Sequence, residues 1–226
     1  LSGDHRQHAS VEAGDALQGL LEGAEVSLDE KQDVGFPTQC YAFPNGRVGL
    51  RGLRAEDQSL FLEATQLSRF LHNPWIQPPL SSVEFLQLLE KCKDANFVAL
   101  IVIDLPTQNC VGMVHLSQIF RGAFQNAYLS YWASQRFAGQ GYMKEAIRLT
   151  LHLSFGMLGL HRIEANMQPQ NFASIGLVRG CGFVKEGFSE KYLKILGEWK
   201  DHERWAIHKE IWLESQMDLE ALPRWN

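Results

Sequence analysis

The chain has 226 residues, of which 45% are hydrophobic and 21% charged, with a formal net charge of −5 at neutral pH. That length suits one sizeable domain with an appendage, and the composition is that of a globular protein able to bury a real core. The acidic excess is concentrated in residues 1–35, where eight carboxylates face only Arg6 and Lys31, so the body is nearly neutral and its bulk charge excludes a dedicated nucleic-acid or membrane surface.

Cys40, Cys92, Cys110 and Cys181 lie far apart with no Cys-x-x-Cys pair, which indicates neither a zinc site nor a disulfide framework and fits reduced thiols in the cytoplasm. No apolar run reaches membrane-spanning length and no signal peptide is visible. The chain begins with leucine, which leaves its native start open. Residues 1–40 read as an acidic N-terminal extension that is partly disordered or caps a basic partner or a neighbouring subunit. Residues 41–214 read as the folded domain and 215–226 as a tail. A homodimer is left open.

Pro44-Asn45-Gly46 marks a turn, and Arg47–Arg54 alternates as a first strand. A helix then carries Leu60, Phe61, Ala64, Leu67 and Leu71, until Asn73-Pro-Trp-Ile-Gln-Pro-Pro79 breaks it. Trp75 in that break serves either core packing or substrate contact. Ser81 and Glu84 form a capping box that opens a second helix through Phe85, Leu88 and Leu89. Strands follow at Phe97–Ile103, Val111–Ser117 and Ala127–Ala133 as an antiparallel meander.

The fourth strand runs into Arg136-x-x-Gly139-x-Gly141 and then into an amphipathic helix with Met143, Ala146, Ile147, Leu151, Phe155 and Leu158 on one stripe, ending at Gly159. Such a turn leaves backbone N–H groups unpaired at a helix N-terminus and makes an anion site fit for phosphates. No Lys-Ser/Thr follows the glycines and a third glycine is missing, so neither a Walker loop nor a dinucleotide fingerprint is present. His161–Gln168 reads as a fifth strand, parallel to the fourth because a helix joins them. Asn171 caps a short helix through Cys181, ended by Gly182. Lys191–Leu196, a turn at Gly197 and Trp199–His208 make a β-hairpin.

This order of elements, with Arg136-x-x-Gly-x-Gly141, Asn171-x-x-Ser174 and Gly182-Phe183, resembles the GNAT superfamily of acetyl-CoA-dependent N-acetyltransferases over about residues 45–210. Asn73-Pro-Trp75, Tyr128-Leu-Ser-Tyr-Trp132, Gly139-Gln-Gly-Tyr-Met143, Leu160-His-Arg-Ile-Glu-Ala-Asn166, Glu186-Gly187 and Trp199-Lys-Asp-His202 look more narrowly like its ribosomal-protein-alanine N-acetyltransferase group. The resemblance implies an α/β (α+β) fold: a mixed, mostly antiparallel sheet of about seven strands, helices on both faces, and a splay between strands four and five filled by pantetheine. It implies that the amides of Ala138, Gly139, Gln140, Gly141, Tyr142 and Met143, beside Arg136, hold the coenzyme A pyrophosphate. It further implies that Asn171 and Ser174 contact the cofactor arm.

Leu129 or Tyr131 could then offer a backbone N–H to the thioester carbonyl. Glu164, placed between Ile163 and Ala165 in a central strand, is read either as the base or as half of a salt bridge with Arg162 or a nearby arginine. His202 is a second base candidate; it shares a strand face with His208, a pair more in keeping with structure than with a metal site, and no metal is expected.

The superfamily commonly places its acid, a tyrosine, seven residues after the asparagine, where this chain has Val178. That departure leaves Ser174, Tyr131 or water to protonate the thiolate. Gly180 and Cys181 also replace bulkier residues common there. Ser130, where the group commonly has glycine, is read as touching substrate or as satisfied within the sheet. The expected activity is acetyl transfer from acetyl-CoA to a primary amine, foremost a protein or peptide N-terminal α-amine. A small amine or polyamine is the alternative acceptor, and a non-catalytic acyl-CoA-binding module is the alternative of another class.

Overall fold

The computed structural model describes residues 39–220, so most of the acidic extension lies outside the described residues. Seven strands form one sheet: β1 (Val48–Gly52), β2 (Val98–Asp104), β3 (Cys110–Phe120), β4 (Asn126–Ala133), β5 (Arg162–Met167), β6 (Val184–Ile195) and β7 (Glu198–His208), in the order β1-β2-β3-β4-β5-β7-β6. Every neighbouring pair is antiparallel except β4–β5, which is parallel because α4 (Tyr142–Gly156) crosses between them.

The apolar stripes sort the helices onto the two faces. On one face α1 (Gln58–Leu67), α2 (Arg69–His72) and α3 (Ser82–Lys91) cover β1–β4, with Phe61, Phe85, Ile101, Met113 and Trp132 in the shared core. On the other, α4, α5 (Phe172–Arg179) and α6 (Lys209–Glu220) pack against the sheet from β1 to β5 and β7, leaving β6 uncovered, through Ile147, Leu151, Val178, Ile163, Ile207 and Trp212. The capping box at α3 is present, with Ser81 Oγ accepting the Glu84 N–H and the Glu84 carboxylate accepting the Ser81 N–H.

Three differences from the sequence reading have physical causes. The helix expected to run through Leu71 divides at Ser68, whose hydroxyl donates back to the Ala64 carbonyl at 2.6 Å, a bond that bends helices. Strand β6 begins at Val184 rather than Lys191; it is an edge strand exposed on both faces, so it carries no alternation to read. Helix α6 was not anticipated: it passes through the position where a tail was expected to start, and its Trp212 is fully buried.

The feature that positions the site is the β4–β5 junction. It holds only Asn126↔Arg162, Ala127↔Ile163 and Tyr128↔Glu164, after which β4 runs on to Ala133 and β5 to Met167 without pairing to each other. Beyond that point β4 stays with β3 as far as Gly112↔Ala133, while β5 stays with β7 as far as Met167↔Glu203, so the two halves of the twisted sheet separate. Gly112 permits the close β3–β4 approach, since a Cβ there would stand 2.1 Å from the Trp132 carbonyl oxygen.

Candidate active site

The cleft opened by the splay has defined backbone chemistry. The Ser134 N–H donates to the Val111 carbonyl on β3 at 2.7 Å. Peptide direction alternates along a strand, so the groups of Ser130 and Trp132 also turn to β3, while those of Leu129, Tyr131 and Ala133 turn to the β5 side. Strand β4 therefore presents the Tyr131 amide on the side where β5 has withdrawn, whereas the Tyr128↔Glu164 pairing turns the Leu129 N–H to the Glu164 carbonyl, so Leu129 does not offer the free amide expected of it.

The glycine turn lies at the end of the cleft. Gly139 and Gly141 have φ of +72° and +82°, a region glycine enters without a Cβ penalty, and Gly141 is the N-cap of α4. Ala138 spends its N–H on the Gln135 carbonyl at 3.4 Å. Among the described residues no acceptor takes the N–H groups of Gly139, Gln140, Gly141, Tyr142 and Met143, which stand at the positive end of a 15-residue helix. The Gln140 side chain closes the turn by donating to the Arg136 carbonyl at 2.7 Å. Arg47 lies over the Tyr142 ring at 4.3 Å and donates to the Gln140 carbonyl at 3.4 Å, adding a cation beside the turn. Arg136 is exposed and the Met143 side chain is buried, so only its backbone is available. Glu145 accepts the N–H groups of Arg47 at 2.7 Å and Val48 at 3.2 Å, which locks the first turn of α4 to β1.

On the far wall, Asn171 uses its side chain to accept the Ser174 N–H at 3.1 Å and cap α5. Tyr131 leaves β4 on the α5 side and donates its hydroxyl to the Ser174 carbonyl at 3.2 Å. Burial pushes the Tyr131 phenol well above its ordinary range, so it stays protonated. Val178, at the position of the superfamily tyrosine, is 0% exposed and packed in the core.

The opposite face of the splay carries the polar groups. Glu164 belongs to the last β4–β5 pair, at the point where the strands part, and its Oε1 accepts from Arg162 Nε at 2.9 Å. The Arg162 fork also grips Glu186, whose carboxyl it holds below the usual range, and Nη1 lies 2.8 Å from His208 Nε2. The salt-bridge reading of Glu164 is thus realised. Tyr128, directly opposite Glu164, has its phenol pushed up by burial and by that carboxylate.

His202 is buried with Nδ1 donating to the Lys200 carbonyl at 2.9 Å, and burial lowers its pKa; the ring is neutral, with Nε2 as its lone-pair nitrogen. Ser130 is half-buried opposite His115. Among the described residues, no group of three or more His, Cys, Asp or Glu is placed to hold a metal ion. No described helix is long and apolar enough to cross a membrane.

Above this face lies a cavity of about 330 Å³ lined by Arg69, Phe70, His72, Asn73, Ile76, Gln77, Pro78, Leu80 and Leu196. Leu196 and Gly197, both with positive φ, form the two-residue turn of the β6–β7 hairpin. The helical wall sits over β3 and β4 and the hairpin sits beyond β5, so a cavity touching both spans the splay. Trp75 is half-buried beside this wall without lining it. His72 and Leu196 were not anticipated: neither belongs to a motif, and only the fold brings them together.

The family model of the acetyltransferase (GNAT) domain matches residues 47–184. The chain belongs to the GNAT acetyltransferase family. It is 40% identical over 124 residues to the probable N-acetyltransferase YjcK of Bacillus subtilis, covering 55% of this chain and 67% of that one. It is 34% identical over 111 residues to the [ribosomal protein uS5]-alanine N-acetyltransferase of Escherichia coli, covering 49% of this chain and 57% of that relative. Spermidine N(1)-acetyltransferase of Vibrio cholerae aligns at 27% over 164 residues, 72% of this chain and 94% of its own. Among solved structures, the ribosomal-protein-S5-alanine acetyltransferase of Vibrio fischeri superposes with a TM-score of 0.66 at 28% identity, covering 77% of this chain and 98% of that one. The mixed seven-stranded sheet is the GNAT fold, and the chain is an N-acetyltransferase by family. Two of these relatives are named for their acceptors, one for a ribosomal-protein alanine and one for spermidine.

Proposed function

We propose that this chain transfers the acetyl group of acetyl-CoA to the α-amine of a protein or peptide N-terminus. The observation that carries the reading is the cavity over the splay. Phe70, Ile76, Pro78, Leu80 and Leu196 make most of its wall, and among the described residues Arg69 is its permanent charge and no carboxylate lines it. A polyamine carries several cations and calls for acids along its length, whereas a peptide N-terminus carries one cation followed by neutral backbone and side chains.

The cofactor fits the residues present. Five unpartnered amides at a helix N-terminus suit a pyrophosphate, and the exposed edge of β4 suits an extended pantetheine arm. Acetyl-CoA supplies the acetyl thioester. The Tyr131 N–H stabilises the oxygen as negative charge develops.

An α-amine titrates near ~8 and a lysine near ~10.4, so a modest base suffices for the first. Glu164, bonded to Arg162 at the mouth of the splay, takes the amine proton, with His202 as the second candidate. With Val178 in the core, the proton for the leaving thiolate falls to Tyr131, which burial keeps protonated.

Thiol release from acetyl-CoA, measured with Ala-Leu-Ala amide and with spermidine as acceptors, tests the reading. Faster turnover of the peptide is expected. Preference for spermidine overturns the choice of acceptor, and calorimetric binding of acetyl-CoA with no thiol release for any amine assigns the chain to a regulatory acyl-CoA-binding module.

A further inference from the structure

Two side chains of the α1–α2 segment bond to the backbone that leads from β4 into the glycine turn. Ser68, fully buried, accepts the Gln135 N–H at 2.8 Å while its own proton goes to Ala64. His72 places Nε2 2.8 Å from the Ala133 carbonyl oxygen. A carbonyl only accepts, so Nε2 carries the proton and Nδ1 does not. Burial lowers the pKa of the ring and keeps it neutral.

The Ala133 carbonyl is one of the groups that alternation turns into the gap. Were β5 still alongside, that carbonyl would face the neighbouring strand; here His72 satisfies it, and an unpaired buried carbonyl would be costly. The His72 ring also packs edge-on against Trp132 with centroids 5.3 Å apart. His72 meanwhile lines the cavity and ends α2, immediately before the Asn73–Pro79 stretch that supplies Asn73, Ile76, Gln77 and Pro78 to the same wall. One side chain thus belongs to the cavity wall and to the end of the thioester-facing strand.

We propose that His72 and Ser68 are positioning residues for acetyl transfer: together they hold the acceptor cavity in register with β4 and the glycine turn. The proposal rests on the reading of that cavity as the acceptor site. Ser68 sets the root of α2 against Gln135, and His72 sets its end against Ala133, so α2 has no freedom to slide along the strand. Misplacing an acceptor by about 1 Å costs on the order of a hundredfold in rate, so two ties of this kind have a kinetic signature without touching the reacting atoms.

The test uses steady-state kinetics with Ala-Leu-Ala amide and calorimetry with acetyl-CoA on the full chain. His72→Phe keeps the packing against Trp132 and loses the bond to Ala133; Ser68→Ala loses the bond to Gln135. Each is expected to lower kcat/KM for the peptide about tenfold to a hundredfold while the acetyl-CoA Kd stays within about twofold. His72→Gln, which places an amide N–H near the position of Nε2, is expected to recover most of the loss. Peptide kcat/KM within about threefold of wild type in His72→Phe and Ser68→Ala overturns the proposal, as does a loss of acetyl-CoA affinity in step with the loss of turnover. If His72→Phe does not fold, Ser68→Ala and His72→Gln decide by the same two readouts. A wild-type chain that acetylates no amine removes the acceptor reading and the proposal with it, whereas an active chain indifferent to these changes removes the positioning role alone.

Discussion

The Tyr131 hydroxyl donates to the Ser174 carbonyl at 3.2 Å, tying the strand that faces the cleft to the helix on its far wall. The bond holds the phenol at the edge of the gap, on the α5 side, where Val178 has no proton to offer. Tyr131→Phe removes that proton and little else. A fall in kcat of about tenfold to a hundredfold is expected, with acetyl-CoA affinity retained by calorimetry. An unchanged kcat would transfer the acid role to Ser174 or water.

Glu164 is bonded to Arg162 and is also the base candidate, so its two roles must be separated by measurement. Glu164→Gln preserves shape and leaves Arg162 paired with Glu186. Loss of about a hundredfold in kcat with a displaced pH profile, at unchanged acetyl-CoA Kd and melting temperature, is the result expected for a base. Parallel losses of stability and activity would show that the carboxylate serves the ion pair only.

At the glycine turn, Gly141 has φ of +82° and its amide is one of the five left without an acceptor. A β-branched side chain there costs roughly 1–2 kcal/mol in backbone strain or turns the amides away. Gly141→Val is expected to weaken acetyl-CoA binding about tenfold or more, read by calorimetry, with peptide KM at saturating acetyl-CoA little altered.

The pH dependence of stability follows from His115. Burial, and secondarily the charge of Lys91, lowers its pKa from 6.5 to about 4. The folded state therefore favours the neutral ring: its contribution is complete above 6.5, where the unfolded chain is also neutral, and drains as pH falls from there through about 4. The loss is on the order of 3 kcal/mol. His72, His152 and His202, each lowered mainly by burial, act in the same direction. Urea midpoints at pH values above and below this window should show the decline, and His115→Phe, filling a site beside Phe97, should flatten it in part.

Local chemistry made much of the molecule legible. The Ser81–Glu84 box, the Asn171 cap and the two glycines of the turn act within a few residues, and each recurs in the structure where the sequence places it. Ser68 was not legible in the same way, because a serine inside an apolar helix gives no sign that a distant amide will need its oxygen. The β6 edge was illegible because neither of its faces is buried enough to impose alternation.

The sequence by itself determined the candidate phosphate turn of this protein: a strand, a glycine turn and a helix start are contiguous, and backbone amides need no long-range partner to point at an anion. Only the tertiary structure decided the cavity proposed for the acceptor. The cavity joins Phe70 and His72 to Leu196, residues more than a hundred positions apart, across a gap that exists because β4 follows β3 while β5 follows β7. No local propensity encodes that parting; it results from the twist of the two half-sheets and from the hydrogen bonds that each strand finds on its other side.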